Sequence, residues 1–258
     1  MPMRIDFIFT FILIASLVGV MIGAVLLARN KNRFLTVVFF ASGVICSLLS
    51  TVYWLVYDLL RPETRMPFAA NEIAEWAMLL LFASCLTTVF PARNFSPSWL
   101  IPTALFAVAN TALWIGWSGE WVEDILTGLC FGWFLCCTVG AMKQSGALKK
   151  GEWIALTAVA FVIVLLQALT FFIPENLTAV FDILCGVLLF SVALFLLVRT
   201  LLCLSGKDKG MSLSFALVAW SMVTMYMTGG GWYLAAVVFL SVSLPLILWM
   251  LKKEVTAK

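Results

Sequence analysis

Three carboxylates stand inside otherwise apolar segments and are the side chains most able to do chemistry: Glu75, Asp124 and Asp182. Glu72 precedes Glu75 by three positions, which places both on one face of a helix. A carboxylate at the centre of a bilayer costs about 2.5–3.5 kcal/mol on insertion scales, and the cost falls toward the interface. We therefore predict that these four acids lie near one membrane surface, where they could bind a small cation.

Aromatic and amide side chains are expected at the same depth as the acids. Asn110 and Gln167 fall in the outer halves of their spans, and Trp76 lies about 100° around the helix from Glu75, as the wall of a pocket. Further aromatic residues cluster near the same interface: Trp54, Tyr57, Trp114, Trp117, Trp121, Tyr226, Trp232 and Tyr233. Two interpretations stay open. One is an interfacial aromatic belt with acids at favourable helix N-termini, and the other is an acidic and aromatic pocket for a cation.

The composition places these residues in a membrane protein. The 258-residue chain is 64% hydrophobic and 11% charged, whereas soluble domains are about 45–50% apolar and about 25% charged. This excludes a soluble enzyme, a disordered chain and a nucleic-acid-binding domain. Apolar runs of about 20 residues predict an all-α polytopic helix bundle, one transmembrane domain over residues 1–258 with no separate soluble domain. Its nine spans are Phe7–Ala28, Leu35–Tyr57, Ala70–Phe90, Trp99–Trp117, Val122–Met142, Trp153–Ile173, Leu177–Arg199, Met211–Thr228 and Trp232–Leu251.

The distribution of charge predicts the orientation of the nine spans. Of the 16 basic residues, all but Arg4, Arg61 and Arg65 fall on one side, which the positive-inside rule makes cytoplasmic. The N-terminus is then outside and the C-terminus cytoplasmic. Of the 13 acidic residues, all but Glu152, Asp208 and Glu254 fall on the outer side or in outer halves of helices. The basic cluster Arg29, Lys31 and Arg33 follows the first apolar run, which predicts a retained helix rather than a signal peptide.

Catalysis by this chain is not expected. It contains no histidine, which removes histidine-ligated haem and zinc sites and serine–histidine or cysteine–histidine pairs. The 7 cysteines stand in apolar runs without a C-x-x-C pair, and we expect free thiols. Glu72 and Glu75 could do acid–base work, but no nucleophile or metal motif accompanies them. The sequence therefore predicts a non-enzymatic protein without a cofactor or metal.

Two short segments resemble known membrane families. Asn71-Glu72-Ile73-Ala74 resembles a run in quinol-oxidising anchor subunits of the dimethyl sulfoxide reductase type, although that family's later Gly-Glu…Gly-Arg signature and its histidines are missing. Glu75-Trp76 and Asp182 resemble counter-ion positions of rhodopsin-like bundles. Gly186 stands where the retinal-bearing lysine should follow Asp182, which excludes a retinal Schiff base.

Three functions remain open from the sequence. The first is a ligand-binding or sensory protein with an acidic and aromatic pocket in its outer half. The second is a membrane anchor subunit of a larger complex, with quinone-linked redox chemistry as one option. The third is a transporter of a small molecule or cation, which the apolar inner halves of the spans disfavour. We expect the bilayer of a plasma membrane, here a bacterial inner membrane, as the environment. The basic loops would contact a cytoplasmic or membrane protein partner, and no nucleic acid.

Overall fold

The computed structural model describes residues 5–29, 33–61 and 70–256. Within them the chain forms nine α-helices and one short 3-10 helix, and each α-helix is long and apolar enough to cross a membrane. The predicted all-α polytopic bundle is therefore confirmed. The helices are α1 (Ile5–Ala28), α2 (Phe34–Leu60), α3 (Ala70–Val89), α4 (Pro97–Ser118), α5 (Trp121–Ser145), α6 (Lys150–Leu169), α7 (Glu175–Leu202), α8 (Lys207–Met227) and α9 (Gly230–Thr256), with the 3-10 turn Ala92–Asn94 before α4.

If each helix crosses the membrane once, as the nine predicted spans require, consecutive helices run in opposite directions. We call the end at which α3, α5, α7 and α9 begin the outer end, following the charge distribution, and the opposite one the inner end. Some of the residues that set this distribution lie outside the described residues: Arg4, Lys31, Glu63, Arg65 and Lys258. The orientation remains a prediction from sequence.

The bounds of α6, α8 and α9 differ from their predictions by four or five residues. The eighth helix begins at Lys207 rather than Met211, and the ninth ends at Thr256 rather than Leu251. The sixth span was expected to reach Ile173, but α6 ends at Leu169. The next three residues form turns, in which Thr170, Phe171 and Phe172 donate to carbonyls three positions back at 3.2, 3.3 and 2.9 Å. Pro174 follows, and the residue before a proline is disfavoured in the helical region. The apolar run Phe171–Ile173 is therefore a loop at the outer end.

The eighth helix lies at the centre of the bundle. Nearly all of α8 is buried, and it packs against α5, α7 and α9. This position explains its many serines and threonines, because a helix surrounded by protein needs no apolar face toward lipid. Its buried hydroxyls are satisfied within the helix: Ser221 donates to the Leu217 carbonyl at 2.7 Å and Thr224 to that of Trp220 at 2.9 Å.

Four phenylalanines fill the centre of the bundle where α2, α3, α5 and α8 meet. Phe40, Phe82, Phe134 and Phe215 are all fully buried. Their ring centroids lie 5.8 to 6.5 Å apart in the five contacts among them. Phe82 follows Glu75 by seven positions and therefore lies on the same face of α3, two turns deeper. We call these four residues the phenylalanine cluster; it is a buried apolar group deeper in the bundle than Glu75.

The inner end is held together by charged side chains. Arg33 pairs with Glu254 at 3.0 Å, which joins the start of α2 to the end of α9. Arg199 pairs with Glu152 at 3.3 Å and also donates to the Ala147 carbonyl at 3.1 Å. The first contact connects two helices that are distant in sequence, and the second connects the start of α6 with the end of α7, so the inner ends of these helices are linked in pairs.

Small residues allow two helices to approach closely. A Cβ added to Gly128 of α5 would overlap the side chain of Thr111 on α4, and one added to Gly132 would lie 3.2 Å from Ala107. Small residues at such positions let membrane helices approach closely. In α1, by contrast, Gly19 has no neighbour within 4 Å of its Cβ position, whereas Gly23 packs against Leu248. The close contact of α4 with α5 fixes the outer turn between them.

Candidate ligand-binding site at the outer end

A cavity of about 440 Å³ opens at the outer end between α3, α4, α5 and α8. Five carboxylates line it, and the described lining contains no lysine or arginine. We call it the acidic cavity. Its lining residues are Asn71, Glu72, Glu75, Trp114, Trp117, Ser118, Glu120, Glu123, Asp124, Thr127 and Tyr226. Such a lining favours a positively charged occupant, because cations are attracted both to carboxylates and to the faces of aromatic rings.

Glu75 lies at the inner boundary of the acidic cavity and is held by two hydroxyl groups. The Tyr226 hydroxyl of α8 donates to one carboxylate oxygen at 2.7 Å, and the Ser50 hydroxyl of α2 donates to the other at 3.1 Å. A carboxylate has about four acceptor positions, so these bonds fix its orientation without exhausting its capacity. Glu75 also lines a smaller cavity of about 70 Å³ beyond it, which Ser47 and Thr51 line as well.

The turn between α4 and α5 positions Asp124. Gly119 ends α4 with φ +74°, a conformation that glycine adopts without strain. The chain then reverses, and the Ser118 hydroxyl donates to the Asp124 carboxylate. The same hydroxyl oxygen accepts the backbone N–H of Glu120 at 2.8 Å. Ser118 thus connects two other lining residues, Glu120 and Asp124, which stabilises the outer rim.

Two polar atoms in the lining of the acidic cavity are buried without a partner. The indole N–H of Trp114 has no acceptor, although the side chain is only 5% exposed. The Asn71 side-chain oxygen has no donor. Buried polar groups are nearly always hydrogen-bonded, so both atoms call for partners from outside the chain. The Trp114 ring also lies 5.0 Å from the Tyr226 ring, which places both aromatic faces in the same wall.

Asp182 and Gln167 lie in a second cavity, of about 640 Å³, which we call the amide cavity. It lies between α4, α6, α7, α8 and α9, and Asp182 is the one charged residue in its described lining. Gln167 is buried and donates to the Met227 carbonyl at 3.5 Å. Trp117 and Tyr226 line both the amide cavity and the acidic cavity. The two cavities therefore adjoin at this pair of aromatic side chains.

The structure divides the seven predicted site residues into three groups. Glu72, Glu75 and Asp124 line the acidic cavity, and Asp182 and Gln167 line the amide cavity. Trp76 and Asn110 are not among the described residues lining either cavity. Trp76 donates its indole N–H to Thr127 at 2.8 Å and so supports the acidic cavity from behind.

Asn110 lies elsewhere in the interior. It is fully buried, and its amide nitrogen donates to the Phe106 carbonyl of the preceding turn at 2.7 Å. Its depth in the fourth span agrees with the sequence analysis, but its contact is with its own helix. A hydropathy pattern gives depth and does not give the direction in which a lone polar side chain points.

Several lining residues were not among the predicted site residues. Trp114, Trp117 and Tyr226 were noted only as part of the aromatic belt, and Glu120 only as an outer acid. Ser50 carried no sequence signal, because serines are common in membrane helices as packing residues. The available signal for Tyr226 was its position near the outer end of its span, as Glu75 is near the outer end of α3.

Comparison of the chain with protein-family models, curated proteins and solved structures finds no match. All 7 cysteines are free, as expected from their positions. Among the described residues, no group of three or more Cys, Asp and Glu side chains is placed to hold a metal ion.

Proposed function

We propose that this multi-pass membrane protein is a non-enzymatic binding protein that receives a small organic ammonium ion at its outer end. The observation that carries the proposal is the acidic cavity itself, with five carboxylates, no described basic residue and aromatic walls. Ammonium groups bind such sites by charge-assisted hydrogen bonds and by contact with aromatic faces. The unpartnered Asn71 oxygen would accept one ammonium proton.

The inner half supports binding rather than conduction. The phenylalanine cluster is apolar and lies deeper than Glu75 on α3, toward the inner end where ion pairs join the helices. A conducting path needs polar groups through both halves. We propose a sensory role in a plasma membrane, in which the basic cytoplasmic surface passes the binding signal to a protein partner. The sensory part predicts that a protein partner is recovered with the chain in gentle detergent. Disruption of the Arg33–Glu254 ion pair should abolish that recovery.

A second function, that of a carrier, is supported by the same difference between the outer and inner halves. A cavity open at one end and closed at the other is the outward-facing arrangement expected of a carrier with alternating access. Uptake of labelled tetramethylammonium, which has no neutral form, into proteoliposomes separates the two: a carrier brings it into the vesicle lumen, and a binding protein holds no more than about one equivalent per chain.

Calorimetric titration of the protein in lipid nanodiscs tests the binding step. Butylamine and tetramethylammonium should bind, and Asp124→Asn or Glu72→Gln should weaken butylamine binding by about tenfold, the value of one charged hydrogen bond. Asp208→Asn is the matched control, because this acid lies in the first turn of α8 at the inner end. Equal affinities for the two site variants, the control and the unaltered protein would overturn the proposal.

A further inference from the structure

The acidic cavity and the amide cavity are two chambers of unequal charge that meet at the same aromatic pair. Five carboxylates line the first and a single one, Asp182, lines the second. Trp117 and Tyr226 belong to both linings. A single monoamine would occupy only one chamber and leave the carboxylate of the other without a cation.

The junction itself is apolar and aromatic. The Trp117 ring stacks on Phe171 with centroids 5.9 Å apart and planes at 12°. The Tyr226 ring lies against Trp114, and its hydroxyl is engaged by Glu75. Flat aromatic surfaces at this position suit a chain of methylene groups, because burial of each CH₂ contributes about 0.8 kcal/mol. A ligand crossing the junction would thus have an aliphatic middle.

Both chambers also contain groups suited to amine recognition besides their carboxylates. In the acidic cavity the Asn71 oxygen lacks a donor, and the indole N–H of Trp114, a side chain only 5% exposed, lacks an acceptor. An ammonium group supplies the donor, and a water bound to it supplies the acceptor. In the amide cavity the buried Gln167 and the hydroxyls of Thr170 and Thr178 surround the space near Asp182.

We infer that the ligand is a linear diamine or polyamine, with one ammonium in the acidic cavity, an aliphatic segment between Trp117 and Tyr226, and a second ammonium beside Asp182. This inference rests on the proposed function and adds the substrate class. It accounts for the two chambers together, which a compact ammonium ion does not. It also gives Asp182, on a helix remote from the other acids, a role in recognising the length of the ligand.

The test compares amines of different length and charge on the protein in lipid nanodiscs. Putrescine, cadaverine, spermidine and spermine are titrated beside the monoamines butylamine and pentylamine. At least one of the polycations should bind about tenfold or more tightly than the monoamine of similar chain. Asp182→Asn should remove that advantage and leave butylamine affinity within about twofold. Asp208→Asn, the same change at the inner end, should leave the advantage intact.

The outcomes separate this inference from the proposed function. Monoamine binding with no gain for any polycation would overturn the inference and leave the proposed function standing. An equal loss of monoamine and polyamine affinity in Asp182→Asn would also overturn it, because Asp182 would then act on the whole site. Absence of binding by every amine would overturn both. Thermal melting of each variant shows that it is folded, and the exposed position of Asp182 makes the isosteric change tolerable.

Discussion

Glu75 is the acid whose contacts allow binding and stability to be separated. Glu75→Gln removes the negative charge but keeps a side chain of the same shape. The amide oxygen still accepts a hydroxyl proton, and the amide nitrogen can donate to the other hydroxyl oxygen, from Tyr226 or Ser50. Tyr226→Phe does the reverse: it removes the 2.7 Å bond and retains the carboxylate. Glu75→Gln should therefore weaken binding more than stability, and Tyr226→Phe should lower stability more than binding.

The magnitudes follow from the two kinds of contact. Loss of one charged hydrogen bond to an ammonium ligand costs about 1.5–3 kcal/mol, so Glu75→Gln should weaken butylamine binding roughly 10- to 150-fold. Polar pairs inside membrane bundles contribute about 0.6 kcal/mol on average and at most about 1.7 kcal/mol. Tyr226→Phe should accordingly destabilise the fold by about 1 kcal/mol and weaken binding much less than Glu75→Gln does.

Calorimetric titration with butylamine and thermal melting of the same samples measure the two effects. Asp208→Asn serves as the charge control, and the double variant measures the coupling between Glu75 and Tyr226. The reasoning is refuted if Glu75→Gln binds butylamine as tightly as the unaltered protein does. It is also refuted if Tyr226→Phe reduces affinity as much as Glu75→Gln does, because the carboxylate would then not be the binding group.

Three further predictions concern the fold. Gly128→Ala should destabilise the protein by about 1–3 kcal/mol in melting experiments, since its Cβ overlaps Thr111, whereas Gly19→Ala should have little effect; equal effects would contradict the close α4–α5 contact. Arg199→Ala should lower the melting temperature more than Glu152→Gln does, because Arg199 also loses its bond to a backbone carbonyl; the reverse order would contradict this. A fluorescent reporter fused to the C-terminus should be active and a phosphatase fused there should be inactive, because both would lie in the cytoplasm. An active phosphatase would invert the orientation.

The fold could be predicted from the sequence because the bilayer imposes a simple rule. Backbone groups must be paired inside the membrane, so each long apolar run becomes a helix. Length and hydropathy therefore gave the number and approximate bounds of the spans. The early end of α6 came from an apolar segment that leaves the helix before Pro174. Hydropathy does not distinguish a loop at the interface from the last turn of a helix.

The site was harder to predict because it depends on helix rotation. Depth is readable from sequence, and it grouped Glu75 with Asp124 and Asp182. The direction of a side chain depends on which helices are neighbours, and the central position of α8 is not visible in its composition alone. Tyr226 therefore became part of the site only through the contacts of its side chain with Glu75 of α3 and Trp114 of α4. Asn110 lies at a suitable depth, but its amide nitrogen donates to the Phe106 carbonyl of its own helix.

The contacts of Glu75, compared with those of the acids at the inner end, are the strongest physical argument for a cationic ligand. Charged groups inside a membrane protein usually pair with one another, and the chain has more basic than acidic residues, 16 against 13. At the inner end it follows this rule, with Arg33–Glu254 and Arg199–Glu152. At the outer end Glu75 instead accepts hydrogen bonds from the hydroxyls of Ser50 and Tyr226, and it lines the acidic cavity. A carboxyl group that is oriented by hydroxyls and faces a cavity is the arrangement that a bound cation would complete.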